Sequence, residues 1–112
     1  MRDPRFVHIG IGADFNFVDQ DELKRVIESE SFDWMRYSFA CYMLWTSSDN
    51  ETIVRKLMRV PGLNPGNIFA VEINITTCFG ILSPALWEWL KKDRGQGALP
   101  FYHAPFWPPL LK

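Results

Sequence analysis

The pattern of apolar and polar residues begins with a strand and continues with a helix. Residues 6–11 alternate so that every second side chain is aliphatic, which predicts a first strand. A helix is expected from Asp19 to about Ser31, because the Asp19 carboxylate can accept from the amide of Glu22. The apolar residues of this helix lie three and four positions apart and form one stripe: Leu23, Val26 and Ile27.

The middle of the chain predicts a central strand followed by a second helix. Residues 32–37 are compatible with a helix end or a short strand, and both alternatives stay open. Residues 40–46 are apolar on both faces, which is typical of a strand covered on both sides. Ser48 with Glu51 has the form of a capping box, so the second helix is expected to start at Ser48 or the next residue and to end at Pro61-Gly62.

The second half of the chain predicts one more strand and a third helix. Residues 68–75 alternate between an apolar face and a face that carries Glu72 and Asn74, so the polar face should be half exposed at a sheet edge or over a wet groove. The apolar face consists of Phe69, Val71, Ile73 and Ile75. The pair Ser83-Pro84 predicts the start of a third helix, which should continue to Lys92.

The C-terminal segment has a composition of its own. Residues 98–112 contain four prolines and four aromatic residues in 15 positions, so they can form neither a regular helix nor a central strand. They are either an arm packed over this domain or a partner's, or a proline-rich ligand for another protein. We favour the arm, because a solvated tail of this composition would expose a large apolar patch. The predicted organisation is therefore a sheet-and-helix domain at residues 1–97 and an arm at 98–112.

Length, charge and composition narrow the class of protein. The chain has 112 residues, of which 47% are hydrophobic, enough for the core of one domain. Its net charge of −1 provides no global attraction to nucleic acid. No stretch approaches the ~18 apolar residues of a transmembrane helix and no secretory signal is present, so we expect a soluble cytoplasmic protein without a membrane partner. Five Trp and nine Phe favour an oligomer, because aromatic residues are enriched at interfaces.

The chain contains no complete catalytic or metal-binding motif, so the sequence leaves open whether it is an enzyme. His8 and His103 are the only histidines, and no His and Cys spacing fits zinc. His8 is predicted to be partly buried and hydrogen-bonded within its strand. Cys41 lies in a strand pattern, which predicts a small buried apolar residue, and Cys78 lies in a predicted loop.

Two sets of residues are candidates for contacts with partners. Arg55, Lys56 and Arg59 fall on the polar side of the second predicted helix, where they can contact the phosphates of a nucleic acid. The alternative is an ordinary solvated helix face. Large aromatic residues are expected as anchors of a subunit interface: Trp45, Trp87, Trp89, Phe106 and Trp107.

The segments TSSDNETIVRKL, NIFAVEI and ALWEWLKK resemble, in order and spacing, a group of small and mostly uncharacterised bacterial proteins. That group is related to the ferredoxin-like CRISPR-associated adaptation proteins and to VapD-type toxins. The resemblance, over residues 6–94, implies an α+β fold: a ferredoxin-like βαββαβ sandwich, extended by a C-terminal helix and the proline- and aromatic-rich arm. It also implies a second strand at residues 32–37 and a homodimer in which aromatic faces or sheet edges meet.

The resemblance further implies a role for Asp14. In nuclease members of the group, an Asp at the end of the first strand is paired across the dimer and holds a divalent metal. Magnesium suits such oxygen ligands and can activate water for phosphodiester hydrolysis. The alternative is that Asp14 turns the loop after the first strand.

These observations lead to two functional hypotheses from different classes. The favoured one is a small homodimeric binding or interaction module of unknown ligand that needs no cofactor. The other is a metal-dependent nuclease of the same fold that acts on RNA or DNA phosphodiesters. In the nuclease, Asp14 would bind Mg²⁺ and the basic helix faces would guide the nucleic acid.

Overall fold

A computed structural model of the chain describes residues 3–63 and 66–94. The elements in chain order are β1 (Arg5–Gly12), α1 (Gln20–Ser29), β2 (Asp33–Ser38), β3 (Cys41–Thr46), α2 (Asn50–Leu57), β4 (Asn67–Glu72), a 3-10 turn (Ile75–Thr77) and α3 (Pro84–Lys91). They belong to two units, one ending at Ile73 and one beginning at Asn74. The boundary predicted at residues 97 and 98, and the arm at 98–112, lie outside the described residues.

The first unit is built on a four-stranded antiparallel sheet with the strand order β2-β3-β1-β4. β1 is paired on both sides, so that Val7 lies opposite Leu44 of β3 and Glu72 of β4. β3 lies between β2 and β1, as its two apolar faces predict, and β4 lies at an edge of the sheet. The prediction of an α+β fold is therefore confirmed.

The core of this unit forms where α1 and α2 pack against one face of the sheet, which we call the near face. Strand residues from alternate positions meet the stripe of α1 and the apolar side of α2: Val7, Ile9, Ile11, Tyr42, Leu44, Leu23, Val26, Ile27, Ile53 and Leu57. All of them are buried. Burial of each large side chain stabilises the fold by about 1.5–3 kcal/mol. The opposite face of the sheet is called the far face below.

The first helix follows its sequence signals closely. The Asp19 carboxylate accepts a hydrogen bond from the Glu22 amide at 3.0 Å, as predicted for the N-cap. The helix ends at Ser29, two positions before the predicted end. The reason is local, because the Ser31 hydroxyl donates to the Ile27 carbonyl, which the Ser31 amide would have used in a longer helix.

Residues 32–37, for which two alternatives stood open, contribute the strand β2. The turn into β3 contains no Gly, Pro or Asn, and it is stabilised instead by a side chain. The Arg36 guanidinium donates twice to the carbonyl of Phe39 and stacks on the Phe39 ring at 4.9 Å. Because the tip is pinned in this way, the chain reverses without the usual turn residues.

The predicted capping box of the second helix does not form. Asp49 is the N-cap residue and makes no side-chain capping bond. The Ser48 amide donates to the Thr46 hydroxyl, and Glu51 instead pairs with Arg55 one turn further on. The Thr46 hydroxyl binds the Ser48 amide that Glu51 would have bound in a capping box. The capping-box pattern does not include Thr46.

The two faces of β4 are oriented opposite to the prediction. The face that carries Glu72 lies toward the core, and the face of Phe69 and Val71 lies away from it. The register places Ile68 opposite Ile11 and Ala70 opposite Ile9, so these residues join the near face and pack against the core. Phe69 and Val71 consequently lie on the far face. The strand also ends at Glu72, because residues 75–77 form the 3-10 turn. The aliphatic face of β1 decides which face of β4 meets the core. A shift of β4 by one residue against β1 would turn its other face to the core.

The described part of the second unit contains α3, which begins behind Ser83 and Pro84 as predicted. Its C-terminal end is held by Arg94, whose guanidinium lies 4.4 Å from the centre of the Trp89 ring. The same guanidinium donates to the Trp89 carbonyl. A cation at this position stabilises the negative end of the helix.

A buried guanidinium joins three strands and a helix at one end of the near face. The side chain of Arg5 is only 10% exposed. It donates to the carbonyls of Thr46 and Ser48 and to the side-chain oxygen of Asn50, at 3.2, 2.6 and 2.6 Å. Its Nε lies 3.4 Å from a carboxylate oxygen of Glu72. These oxygens replace the water that a buried cation loses.

A second set of bonds continues from Thr46 to the end of α1. The fully buried Thr46 hydroxyl donates to the Glu30 carbonyl and accepts from the Ser48 amide. The buried Glu30 carboxylate in turn accepts from the ammonium of Lys56 on α2. We call Arg5, Glu30, Thr46, Ser48 and Lys56 together the polar node.

Replacing Thr46 with Val should lower the free energy of unfolding by about 2–3 kcal/mol, because the buried Glu30 carbonyl and the half-buried Ser48 amide lose their partner while the volume is kept. Urea denaturation measures the change. Thr52→Val is the matched control, since Thr52 is exposed on α2 and its substitution should change stability by less than about 0.5 kcal/mol. Equal losses for the two variants would contradict the importance of the polar node.

Gly62→Ala should lower the free energy of unfolding by about 2–4 kcal/mol. Gly62 has a φ of 93°, and an added Cβ would lie 2.0 Å from the Phe17 carbonyl oxygen. The control is Gly80→Ala, where an added Cβ meets nothing within 4 Å. Thermal unfolding of both variants is the measurement, and a Gly62→Ala protein as stable as the parent would show that this loop can shift at little cost.

Candidate functional site

The far face of the sheet is the surface with the richest side-chain chemistry in the first unit. Alternate positions of all four strands contribute to it: Phe6, His8, Met35, Tyr37, Cys41, Met43, Trp45, Phe69 and Val71. Burial changes across this face. Phe6 and Met35 are buried, whereas Phe69 on β4 is 65% exposed and Val71 is 40% exposed. The accessible part of the far face therefore lies along β4.

Three polar or nucleophilic groups of β1, β2 and β3 come together on the far face. His8 Nε2 and the Tyr37 hydroxyl are within hydrogen-bond distance, and their rings lie 5.6 Å apart. Cys41 is half-buried, has a free thiol and lies opposite Gly10 in the register. The His8 ring packs over Gly10, where its Cε1 would make an ordinary van der Waals contact of 3.6 Å with an added Cβ.

Burial favours the neutral forms of His8 and Tyr37. Desolvation lowers the pKa of His8 below its ordinary value of 6.5. It also raises the pKa of Tyr37 to about 12, with a further contribution from the neighbouring Cys41 thiol. With both groups neutral, the tautomer of His8 decides whether the phenol donates to Nε2 or accepts from it. This pair can orient a ligand through hydrogen bonds, but it does not supply a charged acid or base.

The groove beside β4 on the near face is the second accessible feature. It has a volume of about 430 Å³ and is lined by α2 and β4: Asn50, Glu51, Val54, Arg55, Met58 and Ala70. Its floor is apolar, and the Glu51–Arg55 ion pair forms part of its rim. The accessible part of the far face and this groove thus border the same edge strand.

Asp14, the predicted metal ligand, is exposed in the loop after β1. Its Oδ1 accepts from the Asn16 amide and its carbonyl accepts from the Phe17 amide, both at 3.0 Å. The first bond forms an Asx turn and the second a backbone turn, so Asp14 has the alternative role derived from the sequence. Within residues 3–63 and 66–94, no three His, Cys, Asp or Glu side chains converge as a metal site would require. The pairing of two Asp14 residues across a dimer stays a prediction.

Of the three candidate basic residues, Arg55 and Lys56 lie on α2 and have acidic partners, whereas Arg59 lies in the turn that follows the helix. Arg55 pairs with Glu51 at 2.8 Å, and Lys56 pairs with the buried Glu30 at 2.5 Å. Arg59 is exposed. Two of the three charges are therefore partly neutralised before any phosphate approaches, which weakens this helix as an electrostatic surface for nucleic acid.

The aromatic residues predicted for an interface have different positions. Trp45 lies on the far face and packs on Phe6, with ring centres 4.8 Å apart. Trp87 is buried on α3, whereas Trp89 stacks with Arg94. Phe106 and Trp107 lie outside the described residues. Only Trp45 belongs to the unit that carries the candidate site.

Sequence reasoning missed Tyr37, Phe69 and Val71 as candidate site residues. The position of Tyr37 could have been predicted. If residues 32–37 form a strand, alternation places Tyr37 on the same face of the sheet as Met35. The positions of Phe69 and Val71 could not, because Ile68 and Ala70 are also apolar and either pair could have faced the core.

Comparison with protein families, with curated proteins and with solved structures finds no match to this chain. Among the described helices, none combines the length and the apolar character needed to cross a membrane. The evidence on function therefore comes from the chain's own residues.

His8→Gln should flatten the dependence of stability on pH between about pH 5 and pH 7. The folded-state pKa of His8 lies below 6.5, so the unfolded chain takes up the proton first as the pH falls. The free energy of unfolding of the parent protein should thus decrease as the pH drops through 6.5 toward the folded-state value.

Denaturant titrations of both proteins across this range provide the measurement. His103 is present in both chains, so its contribution cancels in the difference. Parallel stability curves for the parent and His8→Gln would show that burial does not control the titration of His8.

Proposed function

We propose that the chain is a small homodimeric interaction module on a ferredoxin-like βαββαβ scaffold, and that β4 is its contact surface. The strand order β2-β3-β1-β4 with antiparallel pairing supports the scaffold assignment, since two interleaved β-α-β units produce this order. The single observation that carries the function is the exposure of Phe69 and Val71 along an edge strand.

Physical chemistry favours a protein partner for this surface over a small molecule or a nucleic acid. Large apolar side chains gathered on one surface mark sites where another protein removes them from water. Among the described strands β4 pairs with β1 alone, and the edge of a sheet is a place where another protein can add a strand. The exposed stretch Ile68–Val71 has no basic residue to attract a phosphate, and the cations of α2 lie on the other side of the sheet.

Phe69→Ser should shift the protein from dimer to monomer in sedimentation velocity or light-scattering measurements, with a dissociation constant raised at least about tenfold. Phe79→Ser is the matched control: Phe79 is 89% exposed but does not belong to β4, and its replacement should leave the dimer unchanged.

Two outcomes would contradict the proposed function. A parent protein that is monomeric at every accessible concentration would remove the homodimer. Equal dissociation constants for the parent and Phe69→Ser would place the contact surface away from β4.

A further inference from the structure

Imidazole and sulfur side chains from three strands gather in two neighbouring rows of the far face. In the register, His8 lies opposite Met43, and Met43 lies opposite Met35. Cys41 lies two positions before Met43 on the same face of β3, in the next row. Met35 is buried, whereas the other three side chains are half-buried and can be reached from solvent. These two rows therefore hold an imidazole, a thiol and two thioethers that the proposed contact surface does not use.

The pairing of β1 with β3 brings these side chains to the closest spacing that a sheet provides. The Ile11 amide donates to the Ala40 carbonyl at 3.0 Å, which marks a hydrogen-bonded pair of residues. Because such pairs alternate along the strands, His8 and Met43 form a non-hydrogen-bonded pair, with Cα atoms about 4.5 Å apart. Side chains approach most closely in pairs of this kind, so the imidazole and the thioether can contact one small ligand together.

Gly10 and Tyr37 place the imidazole beside the thiol. The His8 ring packs over Gly10, and its Cε1 lies 3.6 Å from the position of an added Cβ there. Cys41 is opposite Gly10, so its own Cβ lies about 4.5–5.5 Å from the same position. The Tyr37 hydroxyl is within hydrogen-bond distance of His8 Nε2 and shares a further hydrogen bond with the Cys41 thiol. Nε2 and the thiol therefore flank one oxygen atom.

We propose that His8 Nε2 and the Cys41 sulfur bind a single Cu⁺ ion on the far face, with the thioether of Met43 as the third ligand. Thiolate and thioether sulfur are the ligands that select Cu⁺, and imidazole nitrogen also suits copper. The thiol releases its proton to solvent as the copper–sulfur bond forms, so the step needs neither an oxidant nor a reductant. All three ligands belong to one chain, so this site does not depend on the proposed dimer.

The ion takes the place of the Tyr37 hydroxyl. Bonds of about 2.0 Å to imidazole nitrogen and about 2.3 Å to thiolate sulfur, as for the d¹⁰ ion Zn²⁺, put these atoms about 4.3 Å apart across a linear centre. A hydroxyl that bonds to both separates them by up to roughly 6 Å. Small rotations of the His8 and Cys41 side chains close this difference. The phenol can move aside, because Tyr37 lies within the register shift of β2 and has no directly opposite residue on β3.

Charge and ligand type favour Cu⁺ over divalent ions at this site. Cu⁺ and one thiolate are neutral together, which suits a half-buried surface, whereas a divalent ion would leave a net positive charge there. Structural zinc needs four ligands, drawn from thiolate, imidazole and carboxylate groups. Among the described strand residues, Asp33 is the only acid on the far face, and it lies opposite Trp45, two positions beyond Met35 and away from Cys41. It is therefore too distant to complete a zinc or magnesium site.

Competition with the coloured Cu⁺ chelator bicinchoninate, without oxygen and with a reductant present, tests the site in the full chain. The parent protein should take up a single equivalent of Cu⁺ from the chelator. Cys41→Ser should lower the affinity for Cu⁺ at least about a hundredfold, and His8→Gln and Met43→Leu at least about tenfold each, because each variant removes one ligand. Circular dichroism of the metal-free variants establishes that they are folded.

Three control variants separate a metal site from general damage to the far face. Cys78→Ser removes the other thiol and Met58→Leu removes an exposed thioether, and both should keep the affinity of the parent protein. Tyr37→Phe removes the hydrogen bonds to His8 and Cys41 but no soft ligand, so it should bind Cu⁺ at least as tightly as the parent.

A second measurement needs no substitution. Bound Cu⁺ should slow the alkylation of Cys41 by iodoacetamide at least about tenfold and leave Cys78 unprotected, which mass spectrometry of the peptides detects. A parent protein that takes no Cu⁺ from the chelator, or in which Cu⁺ protects only Cys78, would refute the site. Unchanged affinity in Cys41→Ser would also refute it, as would a loss in Tyr37→Phe equal to that in His8→Gln.

Discussion

The Arg5 guanidinium is the interaction on which the arrangement of the first unit depends. It lies at the start of the central strand and binds oxygens from the end of β3, the start of α2 and the end of β4. A buried cation needs polar partners, and here three oxygens accept hydrogen bonds from the guanidinium while the Glu72 carboxylate lies beside its Nε. The Thr46 hydroxyl extends the same requirement to the end of α1. Four elements are thus fixed relative to β1 by polar groups, and the apolar core fills the space between them.

Residues with strong local signals allowed accurate prediction from sequence. The alternation of residues 6–11 and the Asp19 cap of α1 depend on neighbours only a few positions away, and both correspond to the observed elements. The two apolar faces of residues 40–46 correctly indicated a central strand. The turn between β2 and β3 could not be predicted from turn residues, because Arg36 stabilises it through the Phe39 carbonyl and ring.

Features that depend on distant residues were predicted poorly. The Ser48 and Glu51 pattern is a local cap signal, but Thr46 captures the Ser48 amide and Arg55 captures Glu51. The orientation of β4 depends on its register with β1, which its own sequence does not contain. The candidate site was hidden for the same reason: His8, Tyr37 and Cys41 come from three strands, and only the pairing of these strands brings them together.

The polar node and the accessible edge are connected through Glu72. This carboxylate lies beside Arg5, although half of it is exposed and the ion pair alone contributes little to stability. The ion pair mainly fixes the position of the strand. Its C-terminal end is held beside Arg5, and β4 stays in register with β1 up to its last residue, Glu72. An edge strand that frays cannot present its amides and carbonyls in a line, whereas one held at its end can. The same guanidinium that organises the core therefore also holds the end of the strand whose Phe69 and Val71 lie exposed on the far face.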